Sequence, residues 1–287
     1  MKLISRSTRL MIMLVILILS MLAVAPTQAA PPANNGRQHN TNQCLNRKLI
    51  PFWGSRSFIE AQGFNFDIIG EQASVKFSNN LSLDLASNPA NSGYTASRMT
   101  EIDDQQPIAD RVKCWEATPT RNVVVEYSVR FDQSAAQSGL TENLILWNAP
   151  LPSPGSGETA KPITAIGVTR NAAFGTPQYY AEVVQDLDFA TFAPPFILNL
   201  TPMPTWLDAG QWHRVRITLS QTTGQVEVAQ GAYPFTTVTK VTLLHPTGPL
   251  GFEFSMDNEF VPGVYVPITI PDGLDVSYLD IHTERVR

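Results

Sequence analysis

The chain has 287 residues, of which 43% are hydrophobic, 16% charged and 9% aromatic; this globular composition excludes a disordered or collagen-like polymer. Twenty Lys and Arg stand against 25 Asp and Glu, a formal net charge of −5. An acidic chain without a basic cluster excludes nucleic acid as a partner, because phosphates need Lys or Arg to neutralise them.

In chain order, the first element is an export signal. Lys2, Arg6 and Arg9 form a positive start with no acid among residues 1–30, and Leu10 to Ala25 follow as an apolar run broken only by Ser20. Pro26 and the small-residue stretch Thr27-Gln28-Ala29-Ala30 complete the layout of a cleaved secretory signal peptide, residues 1–30. The apolar run of about 16 residues is short of the roughly 20 that span a bilayer, which favours cleavage over an anchor. The mature chain is then secreted or extracytoplasmic and carries no membrane span. In that oxidising setting Cys44 and Cys114, the only two cysteines, are expected to form a disulfide. The closed loop of about 70 residues gives about 4 kcal/mol in the chain-entropy view; two buried free thiols are the alternative.

Residues 31–46, rich in Asn, Pro and Gln, read as a flexible leader, and residues 47–287 as one domain. Trp53 and Trp115 read as core residues beside the disulfide. From there two-residue alternation dominates. Val123, Val125, Tyr127, Val129 and Phe131 form one face of a strand, and Val124, Glu126, Ser128 and Arg130 the other, mostly wet one. Strands are also predicted at Ser82–Ala86, Asn143–Asn148, Ile163–Arg170, Tyr179–Asp186, His213–Ser220, Gln225–Gln230, Gly251–Met256 and Leu274–His282. Turn signals such as Thr222-Thr223-Gly224 and Pro271-Asp272-Gly273 separate them, and no sustained helical period follows residue 30. The reading is a single all-β sandwich.

Leu207-Asp208-Ala209-Gly210-Gln211-Trp212-His213-Arg214-Val215-Arg216-Ile217-Thr218-Leu219, followed by Gly224-Gln225-Val226-Glu227-Val228, resembles the Gly-x-Trp-His-x-Val hairpin of the concanavalin A-like lectin/glucanase superfamily, which includes laminin-G-like domains. Gly273 to His282 resembles the closing strand of these jelly rolls, and Val123 to Phe131 a mid-domain strand. The resemblance spans roughly residues 50–287. It implies a two-sheet antiparallel jelly roll, one sheet convex and one concave, with saccharide bound on the concave sheet or its rim. Independently, Val215, Ile217 and Leu219 alternate with Arg214, Arg216 and Thr218. Gly224 reads as a turn residue free to take positive φ, and Trp212 as a cap on the core.

The glycosidase branch of this superfamily uses Glu-x-Asp-x-Glu, or one residue longer, on one strand. Glu101-Ile102-Asp103-Asp104-Gln105-Gln106-Pro107 matches half of it: Gln105 and Gln106 replace the second carboxyl, and an amide cannot donate a carboxylic proton. Lyase-type runs of Arg, Gln, His and Tyr are not found. His39, His213, His245 and His282 are scattered, and His213 and His282 read as partly buried strand residues. Gly155-Ser156-Gly157 lies in a Pro-rich loop with no helix behind it, so it is not a dinucleotide loop.

Calcium has two weak candidate clusters, Asp186 with Asp188 and Asp257-Asn258-Glu259; each offers two or three of the six to eight oxygens that calcium needs. For saccharide, aromatic platforms beside amides or carboxylates are needed. Candidates are Trp147 with Asn148, Tyr179 and Tyr180 with Glu182, and Trp206. The expected protein is a secreted, non-catalytic, lectin-like module that binds a glycan or polysaccharide. The alternatives are an extracellular structural protein without a small ligand, and a polysaccharide-active hydrolase or lyase.

Overall fold

The computed structural model of the protein describes residues 47–62, 64–90, 93–100, 117–132, 140–147, 162–171, 178–188, 197–204, 209–244, 250–261, 264–265 and 267–286. Seventeen strands and one short helix are formed by these residues: β1 Arg47–Pro51, α1 Arg56–Glu60, β2 Asn65–Ile69, β3 Ala73–Phe77, β4 Leu81–Leu85, β5 Ala96–Thr100, β6 Arg121–Phe131, β7 Leu140–Trp147, β8 Pro162–Asn171, β9 Gln178–Asp188, β10 Ile197–Pro202, β11 Trp212–Leu219, β12 Thr223–Gln230, β13 Thr236–Thr242, β14 Leu250–Asp257, β15 Glu259–Val261, β16 Val264–Tyr265 and β17 Asp272–Arg285.

They build two antiparallel sheets. The first runs β13-β12-β11-β6-β17-β4-β3, with β1 added beside β17; the second runs β10-β9-β8-β7-β14-β5-β2, and β15-β16 form a separate ribbon. Strands distant in sequence become neighbours, as β17 lies between β6 and β4. Alternation dictates the core, because every second side chain of a strand points to the same side. Val125, Tyr127, Val129 and Phe131 of β6, Val215, Ile217 and Leu219 of β11, and Leu274, Val276, Leu279 and Ile281 of β17 meet Ile166, Val168, Ala181, Val183, Phe252, Phe254 and Met256 of the second sheet. Aromatic rings link the layers: Tyr127 meets Phe254 edge-on at 5.3 Å, and Phe131 packs on Tyr179 at 4.5 Å. Edge-on contacts of this kind add to area burial.

Several expectations are corrected here. Gly224 is not held by a positive φ; a Cβ there would sit 3.0 Å from Ile166 Cδ1 and 3.3 Å from Leu243 Cδ2. Close approach of the two sheets, rather than turn geometry, requires the glycine. Trp53 is not a core residue: it is 68% exposed, and Phe52 beside it is buried instead. The supposed wet face of β6 is only partly wet, since Val124 and Ser128 are buried. The alternation missed β1, β2, β3, β5, β10 and β13, which carry short or Thr-rich patterns. It also missed α1, whose start is fixed by the Ser55 hydroxyl accepting from the Phe58 N–H at 3.3 Å. Cys44, Cys114 and Trp115 lie outside the described residues. Among the described residues no helix is long and apolar enough to cross a membrane.

Candidate functional site

The two sheets present different outer faces. On the first, polar groups satisfy one another. Arg216 donates to Glu126 at 3.0 Å, Tyr278 donates to the same carboxylate at 2.8 Å, and Arg130 Nε donates to Asp275 at 2.9 Å. Arg130 lies over the Trp212 ring, and Arg214 and Arg216 over Phe235. Trp212 thus packs under a guanidinium on the outer face and does not cap the core. His282 stands between Asp280 and Glu284, at 3.6 and 3.3 Å.

The outer face of the second sheet is buried along β8, β9, β14 and β5, although these residues point away from the core. Strand register orders it into rows. In one row Glu182 of β9 pairs with Gly167 of β8, Gly167 with Leu144 of β7, Leu144 with Glu253 of β14, and Glu253 with Thr100 of β5. In the next, Tyr180 pairs with Thr169, Thr169 with Glu142, Glu142 with Ser255, Ser255 with Arg98, and Arg98 with Asp67. Ala165, Gly167 and Thr169, at alternate positions of β8, therefore form a strip of small residues with Glu182 on its flank. Opposite Glu182 the strip has no side chain at all.

Glu182 is 0% exposed, and neither of its carboxyl oxygens has a hydrogen-bond partner; the Thr169 Oγ1 is likewise buried and unpartnered. Burial pushes the Glu182 carboxyl up to about 8, because a charge without water or a partner is disfavoured. Glu182 is thus a carboxylic acid at neutral pH, able to donate as well as accept. Glu253, also buried, is raised chiefly by burial, against the pull of Arg98 and a hydrogen bond from Ser255. Asp257 ends β14 at 3.6 Å from Arg98.

The residues singled out from sequence are dispersed. Tyr180 and Glu182 share the outer face of β9, whereas Tyr179 points into the core against Phe131 and Arg170. Trp147 ends β7, paired with Thr164 and Leu250; its side chain, Asn148, Trp206 and the Glu101 to Pro107 stretch with Asp103 lie outside the described residues. Asp186 belongs to β9, as the predicted strand Tyr179–Asp186 has it. It sits at an irregular register opposite β8 with φ 61°, a left-handed conformation that Asp tolerates better than most residues. Asp188 is also a β9 strand residue, and its side chain is outside the described set, as is that of Glu259. Asn258 is a structural bridge: its Oδ1 accepts from the Thr95 N–H at 2.8 Å and its Nδ2 donates to the Gly93 carbonyl at 2.9 Å. Three strand spacings separate the β9 and β14 clusters, and among the described residues no group of three or more His, Cys, Asp or Glu is placed to hold a metal ion.

Sequence reasoning missed Glu253, Ser255 and Arg98. The legible signal was the acid-x-polar-x-acid alternation Glu253-Phe254-Ser255-Met256-Asp257, hidden because only its apolar half was read. Chemically, the distances restrict what the face can do. Glu182 and Glu253 share a row but stand three strands apart, about 14 Å at ordinary strand spacing. Glycoside hydrolysis needs two carboxyls about 5 Å apart, or about 6.5–9.5 Å for the inverting case.

No family model matches the chain, and no curated protein matches it in sequence. Solved structures do match in shape. An endo-β-galactosidase from Clostridium perfringens that releases GlcNAcα1-4Gal aligns at 10% identity and TM-score 0.54, covering 89% of this chain and 65% of that one. This chain therefore spans less than two thirds of that enzyme's length. A laminarinase from Flavobacterium sp. UMI-01 aligns at 12% identity and TM-score 0.51, covering 82% and 98%. The lectin UEA-II, complexed with galactose, aligns at 13% identity and TM-score 0.46, covering 83% and 98%. At these identities the likeness is one of fold. The strand order, the two packed antiparallel sheets and the likeness to the endo-β-galactosidase and the laminarinase make the chain an all-β sandwich of jelly-roll type.

Proposed function

We propose that the protein is an exported, non-catalytic saccharide-binding module whose site is the outer face of the second sheet, centred on β8. The observation that carries this reading is Glu182: fully buried, without a partner on either oxygen, and flanking a strip reduced to Ala165, Gly167 and Thr169. A buried polar group costs free energy unless it is hydrogen-bonded, and a sugar hydroxyl supplies what Glu182 and Thr169 lack. The fold is compatible with the reading but does not assign it, since one fold serves many functions. Export through residues 1–30 and a Cys44–Cys114 disulfide belong to the same proposal. A glycan array with the mature protein, in calcium and in chelator, tests it. Reproducible binding to one glycan class supports it, and a blank array together with no binding to polysaccharide gels defeats it.

A second reading rests on one observation. Glu253 and Asp257 stand four residues apart on one face of β14, the alternation expected of a glycosidase strand. Release of reducing ends from a glucan or galactan, abolished by Glu253→Gln, would favour a hydrolase over a module that only binds.

A further inference from the structure

The outer face of the second sheet presents the acids Asp67, Glu182, Glu253 and Asp257, with Glu142 at the β7 position opposite Thr169, and, among the described residues, a single cation, Arg98. That cation is engaged: it lies 3.6 Å from Asp257, donates to the Tyr94 hydroxyl and sits over the Tyr94 ring. It stands on β5, four strands from β9, about 19 Å from Glu182 at ordinary spacing. Arg170, though on β8, points to the opposite face, where Asp272 holds it. Around Glu182 the neighbouring outer-face residues are uncharged: Ala165, Gly167 and Thr169 on β8, Tyr180 and Val184 on β9, and Leu198, Leu200 and Pro202 on β10.

We infer that the strip over β8 takes an uncharged, hydroxyl-rich sugar unit and rejects chains bearing uronate or sulfate groups. This selection rests on the saccharide-binding reading of the same site. An anionic group brought here would lose its water and find no opposite charge within reach among the described residues, and an unpaired buried charge is strongly unfavourable. The surrounding carboxylates add like-charge repulsion and a negative local potential. A neutral sugar brings hydroxyls, each both donor and acceptor. The protonated Glu182 offers one O–H and one carbonyl oxygen to them, and Thr169 offers a hydroxyl one residue row away.

Affinity electrophoresis of the mature protein tests this, in gels containing a neutral β-glucan, a neutral galactan, polygalacturonate or a sulfated galactan. Retardation by at least one neutral polymer and by neither charged one is the expected result. Glu182→Ala should weaken that retardation by about tenfold or more, equal to about 1.4 kcal/mol. Glu182→Gln should keep it within a few fold, since an amide also donates and accepts. Thr169→Val, which keeps the side-chain shape, should weaken it several fold and serves if Glu182→Ala fails to fold. Retardation by a charged polymer as strong as by a neutral one overturns the selection and leaves saccharide binding standing. Neutral retardation untouched by folded Glu182→Ala or Thr169→Val overturns the site. No retardation in any gel, together with a blank glycan array, overturns saccharide binding itself.

Discussion

Arg170 and Asp272 form an ion pair between the two sheets, with side chains 0% and 2% exposed. Arg170 Nη1 also donates to Asp272 Oδ1 at 3.3 Å, and the Gly273 N–H donates to the same oxygen at 2.9 Å. Removing one partner strands a buried charge, so Asp272→Ala should cost about 3–5 kcal/mol, read from urea unfolding. Exchanging both partners, Arg170→Met with Asp272→Leu, should recover most of the loss, because apolar replacements of buried pairs are often neutral. Glu182 acts in a different way. Burial lifts its folded-state value to about 8, above the ordinary carboxylate value of 4.5, so the folded chain keeps a proton that the unfolded chain releases. Stability from this group is full at low pH and is lost as pH rises through about 8. Unfolding measured across that range should show stability falling with pH, and Glu182→Gln should flatten the fall.

At the scale of elements, the β11–β12 hairpin and the long strands β6 and β17 were readable, because Val123 to Phe131 and Val215 to Leu219 alternate cleanly against polar neighbours. The short strands β1, β3 and β5 were not. The faces of β1 and β5 are set by partners remote in sequence, Ile50 lying opposite Leu279 and Met99 opposite Phe254, while β3 is a five-residue edge strand paired with β4. The site was legible only in part. Tyr180 and Glu182 were marked, but the strip beside them was invisible, because Ala165, Gly167 and Thr169 announce no chemistry until register sets them opposite Glu182. Gly224 shows the same limit, its role being decided by Ile166 in the other sheet. Gly224→Ala should therefore destabilise by about 1–3 kcal/mol through overpacking, without changing the hairpin's register. Matching amide chemical shifts along β11 and β12, beside a lowered unfolding midpoint, would be the signature.

Across the whole molecule, one apolar layer between the sheets holds the fold, with Phe254 near its centre, edge-on to Tyr127 and 6.5 Å from Phe52. Phe254→Ala should cost about 3–5 kcal/mol in a single cooperative unfolding transition. Glu182 and Thr169 on the second sheet's outer face are buried without hydrogen-bond partners, whereas the polar side chains Glu126, Arg216, Tyr278, Arg130 and Asp275 on the first sheet's outer face pair with each other. That contrast is why ligand binding is proposed on one sheet and not the other. The most direct test is amide hydrogen exchange of the mature protein with and without a saturating neutral saccharide. Added protection is expected to concentrate in β8, β9 and β14, with β6, β11 and β17 unchanged. Protection concentrated in β6, β11 and β17 would contradict that placement.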